Sequence, residues 1–201
     1  MKRLSTYIQE KLIINQRFDE KLIINKNYND KMIVVKSFDE LRKIIEDRYD
    51  KLGPGTEQNP IDFNDIDISN LDSFYSIYEK GIFEYTRFKY IDISDWDVSN
   101  IKSMRKMFCR CYILESVGDI SKWDVSSVTD MQSMFAYCSK LKSVGDIFKW
   151  DVSNVTDMER MFYDYCSFNQ DISNWNVSNV RNHLSMFDYC QIKEEYKPKF
   201  K

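Results

Sequence analysis

The feature that most constrains this chain is a string that returns at near-constant intervals. Trp150-Asp151-Val152-Ser153-Asn154-Val155-Thr156-Asp157-Met158-Glu159-Arg160-Met161-Phe162 is met again from Trp96, from Trp123 and, weakened, from Trp175, at spacings of 27, 27 and 25 residues. A degenerate copy starts at Ile66. A period of this length means repeated structural units that bury their apolar faces only by stacking on one another.

Aligned on the tryptophans, the copies give columns that stay apolar throughout. Ile66 and the four tryptophans form one, Ile68, Val98, Val125, Val152 and Val177 the next. Phe74, Met104, Met131 and Met158 form a third, which ends in His183, and Tyr78, Phe108, Phe135, Phe162 and Phe187 a fourth. Trp150 and Val152 alternate with polar neighbours, the period-2 signature of a short half-buried strand. Val155, Met158 and Met161-Phe162 recur every three to four residues and predict a short helix, with Ser153 or Asn154 as N-cap and Asp157 in its first turn. Each copy is expected to run strand, short helix, return loop. The two copies with Ser-Val-Gly-Asp at 116–119 and 143–146 have longer return loops. The fold class expected is an α/β solenoid, a leucine-rich-repeat-like stack of about five coils.

The third copy carries the clearest family likeness. Met161-Phe162, Phe168-Asn169-Gln170-Asp171-Ile172-Ser173 and Trp175-Asn176-Val177-Ser178-Asn179-Val180 together resemble the BspA-like, twenty-five-residue leucine-rich-repeat family of bacterial surface proteins. The likeness extends over roughly residues 61–192. It implies a right-handed solenoid used for binding, with no catalytic residues to carry over.

Ahead of the repeat, residues 11–40 hold a shorter one of ten residues, beginning at Lys11, Lys21 and Lys31. It reads as three short strands, a meander covering the first open coil. Ser37-Phe38-Asp39-Glu40 is a capping box opening a helix over 37–52, and Gly53-Pro54 ends it. The expected organisation is an N-terminal α+β cap over 1–60 with a linker at 53–60, the solenoid over 61–192, and a charged, fraying tail over 193–201. His183 reads as a residue closing the last coil.

Charge and cysteines narrow the function. With 29 basic and 32 acidic residues the formal net charge is −3, which gives no broad basic face and sets nucleic acid aside as a partner. The N-terminal stretch is charged and lacks the apolar core of a signal peptide, so the expectation is a cytoplasmic protein without a membrane span, although its secreted relatives are surface-exposed. Cys111, Cys138 and Cys190 each follow the repeat's Phe by three residues and Cys166 by four, which suggests a buried row of thiols, not a zinc site or a disulfide framework.

Two aspartate columns, Asp62, Asp92, Asp119, Asp146 and Asp171 beside Asp67, Asp97, Asp124, Asp151 and Asn176, offer the one route to catalysis or calcium. Their uniformity favours a structural role in every turn, and no metal or cofactor is expected. Residues that break the repeat are more informative, because folding does not explain them. Phe148 stands in a serine column between Lys122 and Lys149, with Asp124 and Asp151 nearby; Tyr137, Tyr165 and Tyr189 precede cysteines, where Arg110 stands in an earlier copy. Tyr and Arg dominate interface hot spots. The reading is a monomeric, non-catalytic module that binds a protein partner through its strand face. The alternatives are a cytoplasmic inhibitor or decoy encoded by a mobile element, and a carbohydrate-active enzyme using the aspartate columns.

Overall fold

The backbone advances by one repeat per layer, and each layer is hydrogen-bonded to the next. The computed structural model describes residues 32–200 other than 77, 78, 143 and 166. Its regular elements are short: β1 (Ile33–Val34), α1 (Phe38–Leu52), β2 (Ile61–Asp62), β3 (Ile66–Asp67) and β4 (Ile91–Asp92), with 3-10 turns at Ile147–Lys149 and Glu194–Tyr196. β1 pairs in parallel with β3 and β2 with β4. Between layers, single parallel bridges join Ser73 to Ser103, Ser103 to Asp130, Asp130 to Asp157 and Asp157 to Asn182.

The predicted helix in each copy is not formed. Its place is taken by a run of tight turns with a two-residue rhythm. In the fourth layer the amides of Met161, Tyr163 and Tyr165 donate to the carbonyls three residues back, whereas those of Met158, Arg160, Phe162 and Asp164 donate to Asn182, Leu184, Met186 and Asp188 of the next layer. The two layers before it do the same. A helix would spend every amide within its own segment and hold its neighbour about 8–10 Å away. That is twice the ~4.8 Å spacing of bridged strands, so helices could not stay in register with the bridges on the same layers. Spacing of three to four residues keeps the apolar side chains inward in either geometry, and this is why the pattern misleads.

Inside, the columns are continuous. The rings of Phe83, Phe108, Phe135, Phe162 and Phe187 stack with centroids 5.5–5.9 Å apart and planes within 15°. Phe83 holds the first place, past an antiparallel bridge of Tyr75 and Gly81; Tyr78, which the alignment puts there, lies outside the described residues. Each indole Nε1–H donates to a carbonyl of the layer before: Trp96 to Phe63, Trp123 to Ile93, Trp150 to Ile120 and Trp175 to Ile147, at 2.8–3.3 Å. Cys111 and Cys138 donate likewise to Phe83 and Phe108 at 3.0 Å. Their thiols are buried, and burial pushes that of Cys111 up to about 12.

α1 lies over the first layers. The hydroxyl of Ser37 accepts from the Glu40 amide and the Glu40 carboxylate accepts from the Lys36 amide, while the Gly53 amide closes the far end on Tyr49. Leu41 and Ile45 are buried, Arg42 donates to the Gly81 and Ile82 carbonyls, and Arg48 pairs with Asp65 at 2.7 Å. Of the ten-residue repeat, residues 11–31 lie outside the described residues. Its last copy gives β1, which joins the first layer by pairing in parallel with β3; the other two strands of the expected meander lie outside the described residues. Ile33–Lys201 forms one compact unit, so β1 and α1 belong with the layers. Residues 194–200 of the tail pack back on the last layers. Tyr196 accepts from the Ile172 amide through its carbonyl, Pro198 is buried, and the Phe200 ring stacks on His183 at 4.0 Å.

Candidate functional site: a tyrosine–arginine ridge

Each layer's turn run contains backbone in the left-handed region. Tyr85, Arg110, Tyr137, Asp164 and Tyr189 occupy one such row, with φ between 54° and 62°, and Lys106, Ser133, Arg160 and Ser185 a second. The turns demand it: in the Phe162–Tyr165 turn Asp164 is the third residue, where a positive φ is required. Gly, Asn and Asp take up this conformation readily, while side chains as large as Tyr and Arg take it up at a cost of roughly 1–2 kcal/mol. Only the fourth layer follows the cheaper rule, with Asp164.

Those large side chains meet along one ridge. Arg110 donates to the Tyr85 hydroxyl and lies over both Tyr85 and Tyr137, at 5.2 and 5.7 Å from the ring centroids, with Glu84 3.9 Å away. Tyr137 touches Tyr112 and Tyr163 at 6.4 and 5.2 Å, and Tyr163 meets Tyr189 edge-on at 5.3 Å. Where Asp164 leaves the row without a ring, the preceding residue, Tyr163, supplies one. The Tyr163 hydroxyl titrates above its ordinary value through burial, with Tyr137, Tyr189 and Asp188 adding to the shift. Tyr189 is 73% exposed.

Three of the tyrosines named from sequence therefore part company. Tyr137 and Tyr189 belong to the ridge. Tyr165 does not: it is 1% exposed and packs on Phe135, Phe162 and Phe168. Alignment on the cysteine put it beside Tyr137, but it lies three residues after Phe162, the place Cys111 and Cys138 hold after their own Phe. Tyr163 was missed for the same reason. Counting from Phe instead of from Cys puts Asp164 in the row, and Tyr163 lies one residue ahead of it.

Phe148 is 39% exposed at the centre of the Ile147–Lys149 turn, with the Lys149 ammonium 5.4 Å from its ring. Lys122 and Lys149 both act on Asp119, whose carboxyl is held below the usual range first by the Ser121 hydroxyl. Lys149 is thus near both Phe148 and Asp119, while Phe148 lines a shallow groove with Asp146, Gln170, Asp171, Ser173 and Asn174 that neither lysine lines. Asp124 and Asp151 are exposed one column over. Each accepts the amide two residues on, Ser126 and Ser153, at 3.0 Å.

That local turn accounts for both aspartate columns. Asp62, Asp92, Asp119 and Asp171 cap the amides of Asn64, Ser94, Ser121 and Ser173; Asp67 and Asp97 cap Ser69 and Ser99, and Asn176 does the same for Ser178. Asp146 makes no such bond; here Phe148 stands in the serine column and the chain turns through 3-10 geometry instead. An asparagine ladder runs beside them. Asn70, Asn100, Asn154 and Asn179 each donate to a carbonyl of the segment before: Val35, Ser69, Ser126 and Ser153.

Residues 62–198 match the family described as Mycoplasma protein of unknown function, DUF285. The chain belongs to that family. The whole ridge, Tyr85 to Tyr189, and Phe148 fall within the matched segment. The comparisons with curated proteins and with solved structures give no match. Among the described residues no helix is long and apolar enough to cross a membrane.

Proposed function

We propose that this DUF285 chain is a leucine-rich-repeat-like solenoid of the BspA-like kind that works as a non-catalytic binding module and recognises a protein partner along the tyrosine–arginine ridge. What carries the reading is the placement of Tyr85, Arg110, Tyr137 and Tyr189 in left-handed backbone. Folding alone favours Gly, Asn or Asp there, so bulky side chains held in strained conformations point to a use outside folding. The residue types agree, since Tyr and Arg supply large, stiff contact area at interface centres. Phe148 with Lys122, Lys149, Asp124 and Asp151 makes a second, smaller contact patch on the strand face. The aspartate columns give catalysis no support, because their carboxylates are spent on the same turn in layer after layer.

The test exploits the opposition between folding and binding. Tyr137→Asn with Tyr189→Asn relieves two left-handed tyrosines while it removes three ring contacts worth about 0.5–1.5 kcal/mol each and the Arg110 contact with Tyr137, so the melting temperature is expected to stay near wild type. Capture of a protein partner from native lysate by the immobilised wild-type chain is expected to fail with this variant. A partner retained at undiminished affinity would remove the ridge from the function.

A further inference from the structure

The ridge has a spacing as well as a composition. Its row of left-handed residues, Tyr85, Arg110, Tyr137, Asp164 and Tyr189, takes one residue from each layer. The amide of each of the first four donates to a carbonyl of the layer that follows, at 2.8–3.2 Å. Bridged layers lie about 4.8 Å apart, so the three tyrosines of the row, each two layers from the next, recur at about 9.6 Å. Arg110 fills the layer between Tyr85 and Tyr137, its guanidinium 5.2 and 5.7 Å from their ring centroids. The Tyr163 ring does so between Tyr137 and Tyr189, at 5.2 and 5.3 Å. Tyr85, Tyr112, Ile113 and Tyr189 are exposed, and Tyr112 flanks Tyr137 with ring centroids 6.4 Å apart.

We infer that the ridge takes a proline-rich segment of the protein partner in the polyproline II conformation, with a proline at every third residue set against Tyr85, Tyr137 and Tyr189 in turn. The inference rests on the ridge being the binding surface and names what that surface reads. A polyproline II turn has three residues and advances about 9.3 Å, close to the two-layer spacing. An extended strand returns a side chain to the same side every ~6.7 Å and falls out of step with the tyrosines. Two turns of an α-helix advance about 10.8 Å, and its carbonyls are spent on its own amides. A polyproline II segment has no internal hydrogen bonds. Its carbonyls therefore remain for the tyrosine hydroxyls and for the Arg110 guanidinium, of whose five donors the Tyr85 hydroxyl takes one. Aromatic surfaces suit such segments, which are already ordered before they bind. The occupant is not a second copy of this chain, whose three prolines, Pro54, Pro60 and Pro198, nowhere recur at every third residue.

The experiment titrates three fluorescein-labelled peptides of about twelve residues onto the full chain, followed by anisotropy. One carries proline at every third position with alanine and serine between, the second has the same composition with the prolines irregularly spaced, and the third has alanine for proline. The in-step peptide is expected to bind about tenfold or more tighter than either of the others. Tyr137→Asn and Tyr189→Asn each relieve a left-handed tyrosine, and each is expected to weaken the in-step peptide about fivefold or more. Circular dichroism of both variants confirms that the fold is kept. Equal affinity for the in-step and irregular peptides, or for the proline and alanine peptides, overturns the inference, as does undiminished binding by both variants. If no peptide binds while Tyr137→Asn with Tyr189→Asn still abolishes partner capture, the ridge stands and the polyproline II assignment falls.

Discussion

At the residue scale, the tryptophans tie layers together by two means at once. Trp123 is buried, stacks on Trp150 with planes 3° apart, and its Nε1–H satisfies the Ile93 carbonyl in the layer before. Trp123→Ala is expected to cost about 3–5 kcal/mol, the range for large aromatic truncations in a core. Trp123→Phe keeps most of the apolar area and leaves that carbonyl unpaired, so its cost is expected nearer 1–3 kcal/mol. Urea melts of the two variants separate packing from the hydrogen bond; a Trp123→Phe variant as stable as wild type would show that the indole N–H contributes nothing. Phe148 is the opposite case. Phe148→Ser restores the repeat's serine, whose hydroxyl can join its amide on the aspartate as Ser173 does on Asp171, so thermal stability is expected to hold or rise slightly. An early melt would show that the ring is a core residue despite its exposure.

At the element scale, what was legible in the sequence followed the source of each signal. α1 is governed locally: a Ser37–Glu40 box and Gly53 act within a few residues, and the helix starts and stops where they stand. Ser37→Ala is accordingly expected to cost about 1 kcal/mol, read as a shift of the thermal midpoint. The turn runs are governed by the neighbouring layer, which the spacing of apolar residues inside one copy does not register. Met158 and Met161 fit a helix, and only the amide of Arg160 reaching Leu184 of the next layer excludes one. The glycines of the Ser-Val-Gly-Asp loops carry a similar hidden constraint. Gly145 has φ 79°, and a Cβ there would meet the Asp119 carboxylate at 1.9 Å, so the loop is shaped by a side chain 26 residues earlier. The candidate site was half legible. Tyr137, Tyr189 and Arg110 stood out by breaking the repeat, whereas one extra residue between Phe162 and Cys166 moves the row from Tyr165 to Asp164, and the ring of Tyr163 beside it follows from no count. The left-handed backbone that marks the row has no sequence signature of its own when Tyr and Arg occupy it.

At the scale of the whole molecule, repetition turns a small local effect into a property of the stack. Asp119, Asp124, Asp151 and Asp171 are each held below the ordinary carboxylate value, first by the hydroxyl of the serine two residues on, and Asp67 first by the Ser69 amide. Asp92 is also lowered, although burial pushes it up, because bonds from Ser94 and Asn64 outweigh that burial. Glu115, held by Lys142, Tyr90 and Lys89, falls to about 2. A carboxylate with a depressed folded value binds fewer protons in the native state than in the unfolded one. Its stabilisation is therefore complete above the ordinary carboxylate pKa of about 4 and is lost as pH falls through the lowered value. Asp130, raised by burial, acts in the reverse sense and softens the slope. The sum predicts a chain whose stability is level between about pH 5 and 8, where the buried thiols do not yet ionise in the unfolded chain, and falls steeply between about pH 4 and 2. Asn176 shows how to test the origin of that slope, since the same turn closes on a neutral acceptor, with the Ser178 amide at 3.2 Å. Asp124→Asn with Asp151→Asn is expected to keep the fold, lose some stability at pH 7 and flatten the acid limb, measured as urea midpoints across pH. Two variants with the wild-type slope would mean that the columns do not carry the acid sensitivity. It would then rest with Glu115 and the remaining aspartates.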